Sequence, residues 1–195
     1  MSPPRIGEPP LRTHFDVFGL KRAYDVDVPA LEKQYRELSL QLHPDRVAQA
    51  SARERLQALE GTTALNEAFK TLKDPVRRAF YLLKLHGIDL DREDAGAQKD
   101  MPLAFLEEVM DLRESLDTAM AKKDLGRARA MADDVEARKK AALAEAAESL
   151  RTLEADAPGA GGQELVRKAS HALGRVRYFT RFLEQVDAFE EEIQA

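Results

Sequence analysis

Two runs of leucine and aromatic residues in the first half of the chain repeat with the period of an α-helix. Each run puts its apolar residues on one helix face, and a polar stretch containing His43-Pro44-Asp45 separates the two. Helices with facing apolar stripes are expected to pack as an antiparallel pair, with the tripeptide in the connecting loop. The residues that form these stripes are Leu31, Tyr35, Leu38 and Leu42 in the first run, and Leu65, Phe69 and Leu72 in the second.

Three longer stripes follow in the second half of the chain and predict helices over residues 102–120, 124–155 and 164–193. The middle helix would be about 45 Å long at ~1.5 Å per residue. Three amphipathic helices in series predict an antiparallel bundle. The residues assigned to its core are Phe105, Val109, Leu112 and Leu116, then Leu125, Ala128, Ala132, Val135, Ala142, Ala146, Leu150 and Leu153, then Leu165, Ala169, Ala172, Val176, Phe179, Leu183, Val186 and Ile193.

Breaks in the periodicity divide the chain into domains. Residues 1–12 are rich in proline and predict a flexible arm. Asp74-Pro75 ends a helix, and a shorter helix over 76–86 stops at Gly87. Residues 89–100 are polar and acidic and predict a linker. We therefore expect an all-α chain with an arm (1–12), a first domain (13–88), a linker (89–100) and a three-helix domain (101–195).

The composition narrows the possible functions. The 195 residues are 44% hydrophobic and 33% charged, which is typical of a helical globular protein. Cysteine is absent, which excludes disulfides and thiolate ligation of zinc or an iron–sulfur cluster. The four histidines lack metal-ligand spacing, so we expect no metal and no cofactor. No apolar run reaches membrane-spanning length and the arm lacks a signal-peptide pattern, so we expect a cytoplasmic protein.

Charge is distributed unevenly between the two halves. Residues 1–90 contain 14 Lys and Arg against 12 Asp and Glu, whereas residues 91–195 contain 16 against 23. This difference suggests that the halves meet different partners. A concentrated basic face with interleaved aromatic residues is missing, which argues against nucleic-acid binding. The sequence leaves the oligomeric state open, and we expect a monomer.

His43-Pro44-Asp45 by itself has two further interpretations. The tripeptide can simply end a helix, because His complements the helix dipole, Pro disfavours helical geometry before it, and Asp suits a turn. His43 and Asp45 could instead form a general acid–base pair. No nucleophile, phosphate-binding loop or further carboxylate accompanies them, which argues against an enzyme.

The order of elements around the tripeptide resembles the J domain of DnaJ-type co-chaperones. Residues 15–20, 35–45 and 65–75 carry this resemblance, in the order short helix, long helix, His-Pro-Asp loop, long helix, short helix. Residues 78–87 and 105–117 extend it, and from about Thr13 onward the chain is similar to the HscB family. The resemblance implies a co-chaperone that binds the iron–sulfur scaffold protein IscU, delivers it to a DnaK-type chaperone (HscA) and stimulates the chaperone's ATPase to promote cluster transfer.

The J-domain resemblance implies a chaperone-binding surface on the first domain. The basic residues Lys33 and Arg36 would meet an acidic surface of the chaperone, although the interleaved Glu32 and Glu37 are also compatible with an ordinary solvated face. The residues implied as chaperone-binding are His43, Pro44, Asp45, Lys33, Arg36, Gln41 and Arg46.

A second surface is implied on the three-helix domain. Leu106 and Met110 lie off the core stripe of their helix, and Tyr178 is displaced in the same way from Phe179. From periodicity, these residues could widen the core or form an exposed partner site. The HscB resemblance implies the second, with Glu107 standing where an apolar residue is expected. The residues implied as scaffold-binding are Leu106, Met110, Asp111, Glu114 and Tyr178.

One alternative function remains open at this stage. The chain could be a general J-domain co-chaperone whose bundle binds other clients or merely dimerises. Binding of IscU would distinguish the two.

Overall fold

The computed structural model describes residues 13–42, 51–90, 101–155 and 161–194 of the chain. Each regular element in these ranges is an α-helix, which confirms the predicted all-α class. The predicted arm and residues 91–100 of the predicted linker lie outside the described residues. The helices are α1 (His14–Val17), α2 (Val28–Gln41), α3 (Ala52–Lys73), α4 (Pro75–Leu85), α5 (Leu103–Ala121), α6 (Leu125–Ala155) and α7 (Gly162–Gln194).

Contacts divide the described chain into two compact units, and the division falls between Arg78 and Ala79. The first unit contains α1, α2, α3 and the first turn of α4, and the second unit contains the rest of the chain. The domain boundaries expected from the sequence stay a prediction, because the segment over which they were drawn is largely outside the described residues.

Local signals in the sequence set the ends of the hairpin helices. The Asp27 carboxylate accepts a hydrogen bond from the Ala30 N–H at 3.0 Å, and Pro29 lies in the first turn of α2, where it is tolerated. Ser51 and Glu54 form a capping box at the start of α3. Helix α3 then runs unbroken through Gly61.

The helices α2 and α3 form the predicted antiparallel pair. The Tyr35 ring stacks on Phe69 with centroids 4.0 Å apart, and the Tyr35 hydroxyl donates to Asn66 Oδ1 at 2.9 Å. Earlier on α2, Glu32 pairs with Lys73, later on α3, at 2.8 Å. The order of these contacts runs in opposite directions along the two helices. The hydrogen bond from Lys73 lowers the pKa of the Glu32 carboxyl.

A buried arginine fastens the end of α3 to the loop before α2. The Arg78 guanidinium donates to the carbonyls of Leu72 at 2.7 Å, Tyr24 at 2.6 Å and Lys73 at 3.3 Å, and it lies over the Tyr24 ring. Burial lowers its pKa, as expected for a cation removed from water. Three carbonyl acceptors offset that desolvation.

The long hairpin of α6 and α7 is the centre of the second unit. Arg129 near the start of α6 pairs with Glu190 near the end of α7, and Arg175 pairs with Glu145 farther along, so the helices are antiparallel. The buried side chains of α6 are mostly small and those of α7 mostly large: Ala128, Val135, Ala142, Ala146, Ala147 and Leu150 face Leu173, Val176, Phe179, Phe182, Val186 and Phe189.

Helix α5 completes the predicted bundle. Its buried residues Phe105, Leu116 and Ala119 face the hairpin, and Phe105 meets Phe179 edge to face at 5.9 Å between centroids. A three-residue connection leads from α5 into α6, and its Lys123 has a φ of 51°. Short connections of this kind favour antiparallel neighbours.

The core of α7 differs from the prediction at one end. Ile193 was assigned to the core but is 38% exposed, so that assignment is wrong. The Arg129–Glu190 pair shows why: in an antiparallel hairpin Ile193 lies level with the first residues of α6, beyond the last packed layer. Phe182 and Phe189, absent from the predicted core, fill it instead.

The segment after α4 is attached to the bundle within the second unit. Gly87, at φ 91°, ends α4 in the conformation that favours glycine. His86 Nε2 lies 2.8 Å from Glu154 Oε1 of α6. The buried Leu90 presents its carbonyl to the guanidinium of Arg177 on α7. These contacts fix residues 86–90 to the hairpin.

We predict that Arg78→Leu lowers the free energy of unfolding of the first unit by about 2–4 kcal/mol, because three carbonyls lose their buried donor. Arg77→Leu is the matched control, since Arg77 is exposed, and it should change stability by less than about 0.5 kcal/mol. Amide hydrogen exchange of α2 and α3 in the full chain measures both. Equal effects would contradict the role assigned to Arg78.

We also predict that Tyr35 and Asn66 contribute jointly to the free energy of unfolding, so that the effects of mutating them are not additive. Tyr35→Phe keeps the stack on Phe69 but removes the hydroxyl donor, and Asn66→Ala removes its acceptor. A double-mutant cycle by chemical denaturation should give a coupling energy of about 0.5–1 kcal/mol. The same cycle with the exposed Glu67→Ala should be additive. Additivity in both cycles would show that the hydrogen bond contributes nothing to stability.

Candidate functional site

The outer side of α2 carries the basic residues selected from the sequence. Lys33 and Arg36 are exposed, opposite the buried Leu31. Glu32, one of the acids expected to interleave with them, is instead held by Lys73 on α3. Gln41 is exposed at the last residue of α2. Lys33 and Arg36 together are called the α2 basic face below.

The loop residues His43, Pro44, Asp45 and Arg46 lie outside the described residues. A contact between the two helices next to the loop shows how α2 and α3 are aligned there. The Thr62 hydroxyl donates to the Leu42 carbonyl at 3.3 Å, so the end of α2 is level with Thr62. Since α3 begins at Ala52, its first turns extend about 15 Å beyond the end of α2.

An apolar strip runs along the outer face of α5. Leu103 is 71% exposed, Leu106 41% and Met110 71%. Their spacing of three and four residues puts them on one face, roughly 100–160° around the helix from Phe105. Leu106 and Met110 therefore do not widen the core, which was the alternative that periodicity left open. The residues Leu103, Leu106 and Met110 are called the α5 strip below.

Acidic and polar residues border the α5 strip. Asp111, Glu114 and Glu107 are exposed beside it. Glu108 differs, because it turns to Arg138 on α6 at 2.6 Å. Beyond Met110 the same face of α5 continues along Arg113, Glu114, Asp117, Thr118 and Ala121 and is open to solvent.

Tyr178 of α7 lies against α5, at the side of the strip. Its hydroxyl donates to the Val109 carbonyl at 3.0 Å, and its ring meets Phe105 edge to face at 5.8 Å. Burial is the main cause that raises the pKa of the Tyr178 hydroxyl. The half-buried Tyr178 thus fixes the position of α5 on the hairpin and presents only part of its ring to solvent.

Two exposed leucines were missed by the sequence interpretation. Leu40 is 68% exposed and follows Lys33 by seven residues and Arg36 by four, so it extends the α2 basic face with an apolar side chain. Leu103 begins the α5 strip. In both cases helical spacing from an assigned residue was the available signal.

Among the described residues, no group of three or more His, Cys, Asp or Glu side chains is arranged to hold a metal ion. A search of the same residues finds no helix that combines the length and the apolar character needed to cross a membrane.

Comparisons with known proteins match both halves of the chain. A DnaJ domain model matches residues 13–81, and a model described as the HSCB C-terminal oligomerisation domain matches residues 101–187. A co-chaperone protein HscB homolog of Ralstonia nicotianae is 47% identical over 113 residues, which is 58% of this chain and 62% of that protein. The chain thus aligns with less than two thirds of that relative.

Two other comparisons cover more of their proteins. A co-chaperone protein HscB homolog of Burkholderia thailandensis is 39% identical over 132 residues, 68% of this chain and 74% of that protein. The solved structure of chaperone HscB from Vibrio cholerae has a TM-score of 0.71 and 30% identity, and the match covers 93% of this chain and 99% of that one. With a J domain followed by a helical C-terminal domain, the chain belongs to the HscB family of co-chaperones.

Proposed function

We propose that this chain is an adaptor that binds the iron–sulfur scaffold IscU and delivers it to the DnaK-type chaperone HscA. In this role it stimulates ATP hydrolysis by the chaperone and promotes cluster transfer. The observation that carries the proposal is the α5 strip, an apolar surface that the bundle leaves uncovered within the described residues and that acidic residues border.

The α5 strip has the properties of a protein-binding surface. Fully burying a Leu or Met side chain gains about 1.5–3 kcal/mol, so three neighbouring side chains can anchor a partner. Helix α5 is packed firmly on its other face, through Phe105, Leu116 and the Tyr178 hydrogen bond. A preformed helix loses little conformational freedom when it binds, which favours affinity.

The acidic border sets the kind of partner. Asp111 and Glu114 are exposed beside Met110, so the complementary surface of the scaffold should combine an apolar patch with basic residues. Rim charges of this type mainly increase the association rate and select against acidic partners.

The first unit provides the second docking surface. Lys33 and Arg36 face solvent and can meet an acidic surface on the chaperone. His43, Pro44 and Asp45 would complete the contact, as the family resemblance implies. To stimulate hydrolysis, the J domain must bind the hydrolysis-competent state of the chaperone more tightly than the other states, because a ligand with equal affinity for all states shifts no population.

Joining both surfaces in one chain explains how an adaptor acts without catalysing a reaction. The chain raises the effective concentration of the scaffold near the chaperone, without any new contact between those two proteins. We propose that the chain acts as a cytoplasmic monomer that binds no nucleic acid. The family model that matches the C-terminal half is described as an oligomerisation domain. Light scattering of the chain with and without IscU therefore tests whether the chain is monomeric.

We predict that the steady-state ATPase rate of HscA is higher with this chain and IscU together than with either alone. His43→Gln should abolish the gain while the circular dichroism spectrum stays unchanged. Stimulation to which IscU never adds would favour the alternative of a general J-domain co-chaperone with another client. A complete lack of stimulation would contradict both functions.

We predict that Leu106→Ala combined with Met110→Ala weakens IscU binding about 30-fold, equivalent to about 2 kcal/mol of lost apolar contact. Ile193→Ala is the matched control, because Ile193 is nearly as exposed as Leu106 but lies at the end of α7. Calorimetric titration of each variant with IscU gives the dissociation constants. Equal weakening by the control, or none by the double variant, would remove the α5 strip from the scaffold site.

A further inference from the structure

The methionines of the second unit differ in how much of the residue is exposed to solvent. Met110 is 71% exposed, whereas Met101, Met120 and Met131 are half-buried. Met101 is also shielded by α7, since a Cβ added at Gly174 would lie only 3.1 Å from Met101 Sδ. A small oxidant in solution therefore reaches Met110 more readily than the other three.

Met110 occupies a position where a more polar side chain has a large effect on partner binding. It is one of the three residues of the α5 strip, and it lies on the open face of α5 beside Arg113 and Glu114. The chain contains no cysteine, so no thiol of its own competes for a peroxide. A small oxidant can therefore reach a thioether that lies on the proposed binding surface.

We infer that Met110 is an oxidation-sensitive modification site that controls scaffold binding by the α5 strip; this inference rests on the proposed function. The oxidant is a hydroperoxide such as hydrogen peroxide. With hydrogen peroxide, a sulfur lone pair attacks one oxygen and forms the S–O bond while the O–O bond breaks, and the hydroxide that leaves takes the proton of the attacked oxygen to form water. The sulfur loses two electrons and becomes a sulfoxide. A dithiol reductase reverses the step, forming the thioether, a disulfide and water.

The sulfoxide weakens binding because it is polar where the partner needs an apolar side chain. Burying an unpaired sulfoxide oxygen in the contact, together with the lost apolar surface, should raise the dissociation constant for IscU about tenfold or more. The fold should be unaffected, since Met110 lies on the side of α5 opposite Phe105 and Leu116 and takes no part in the core.

The test compares IscU binding by the full chain before and after mild treatment with hydrogen peroxide. Peptide mass spectrometry locates the added oxygen, and circular dichroism monitors the fold. We expect oxidised wild type to bind IscU about tenfold or more weakly, and methionine sulfoxide reductase to restore its original affinity. Met110→Leu is compared with its own untreated sample and should show no peroxide-dependent change. Met120→Leu, on the same helix, should lose affinity as the wild type does.

The outcomes separate this inference from the proposed function. If untreated wild type does not bind IscU, the proposed function fails, and the inference fails with it. If untreated wild type binds and Met110 is shown to be oxidised, but the dissociation constant is unchanged, the inference alone is wrong. It is equally wrong if Met110→Leu loses affinity on treatment to the same extent as the wild type, or if the half-buried methionines are oxidised before Met110.

Discussion

The antiparallel pairing of α6 and α7 is the interaction on which the second unit depends. Small side chains such as Ala142 and Ala146 let the two helices approach closely, and Phe179, Phe182 and Phe189 of α7 fill the space alongside. Because the pair forms most of the core, α5 needs only a narrow inner stripe to attach. The residues on its outer face are therefore not needed for packing and can bind a partner.

In the first unit, too, one face of a helix makes the packing contacts and the other faces solvent. The stack of Tyr35 on Phe69, the hydrogen bond to Asn66 and the Glu32–Lys73 pair all lie where α2 faces α3. These contacts draw Glu32 toward α3 and leave Lys33 and Arg36 on the solvent side. The contacts that hold the hairpin together thus also increase the positive character of its outer face.

Periodicity predicted the helices well, because apolar stripes and caps are local features of the sequence. It placed the three bundle helices within a few residues of their observed ends. It could not decide whether Leu106 and Met110 were core or surface. A stripe shows which residues share a face, but the width of the contact depends on how the neighbouring helix packs.

Features that depend on contacts between distant parts of the chain could not be predicted from the sequence. Ile193 continues the α7 stripe but has no layer to pack against, because α6 begins at that level. Asn66 was given no role from its position, and its partner Tyr35 lies 31 residues earlier on another helix. Arg78 was part of a basic run, yet its guanidinium is buried among carbonyls from two separate segments.

The small size of the α5 strip matters for an adaptor. A protein that hands its cargo to another must release it, so a contact anchored by three side chains suits the task better than an extensive interface whose affinity slows dissociation. When so few side chains supply the apolar contact, each contributes a large share of the binding free energy. In the proposed contact, Met110 makes the affinity sensitive to oxidation of a single sulfur atom, and a leucine at the same position would not.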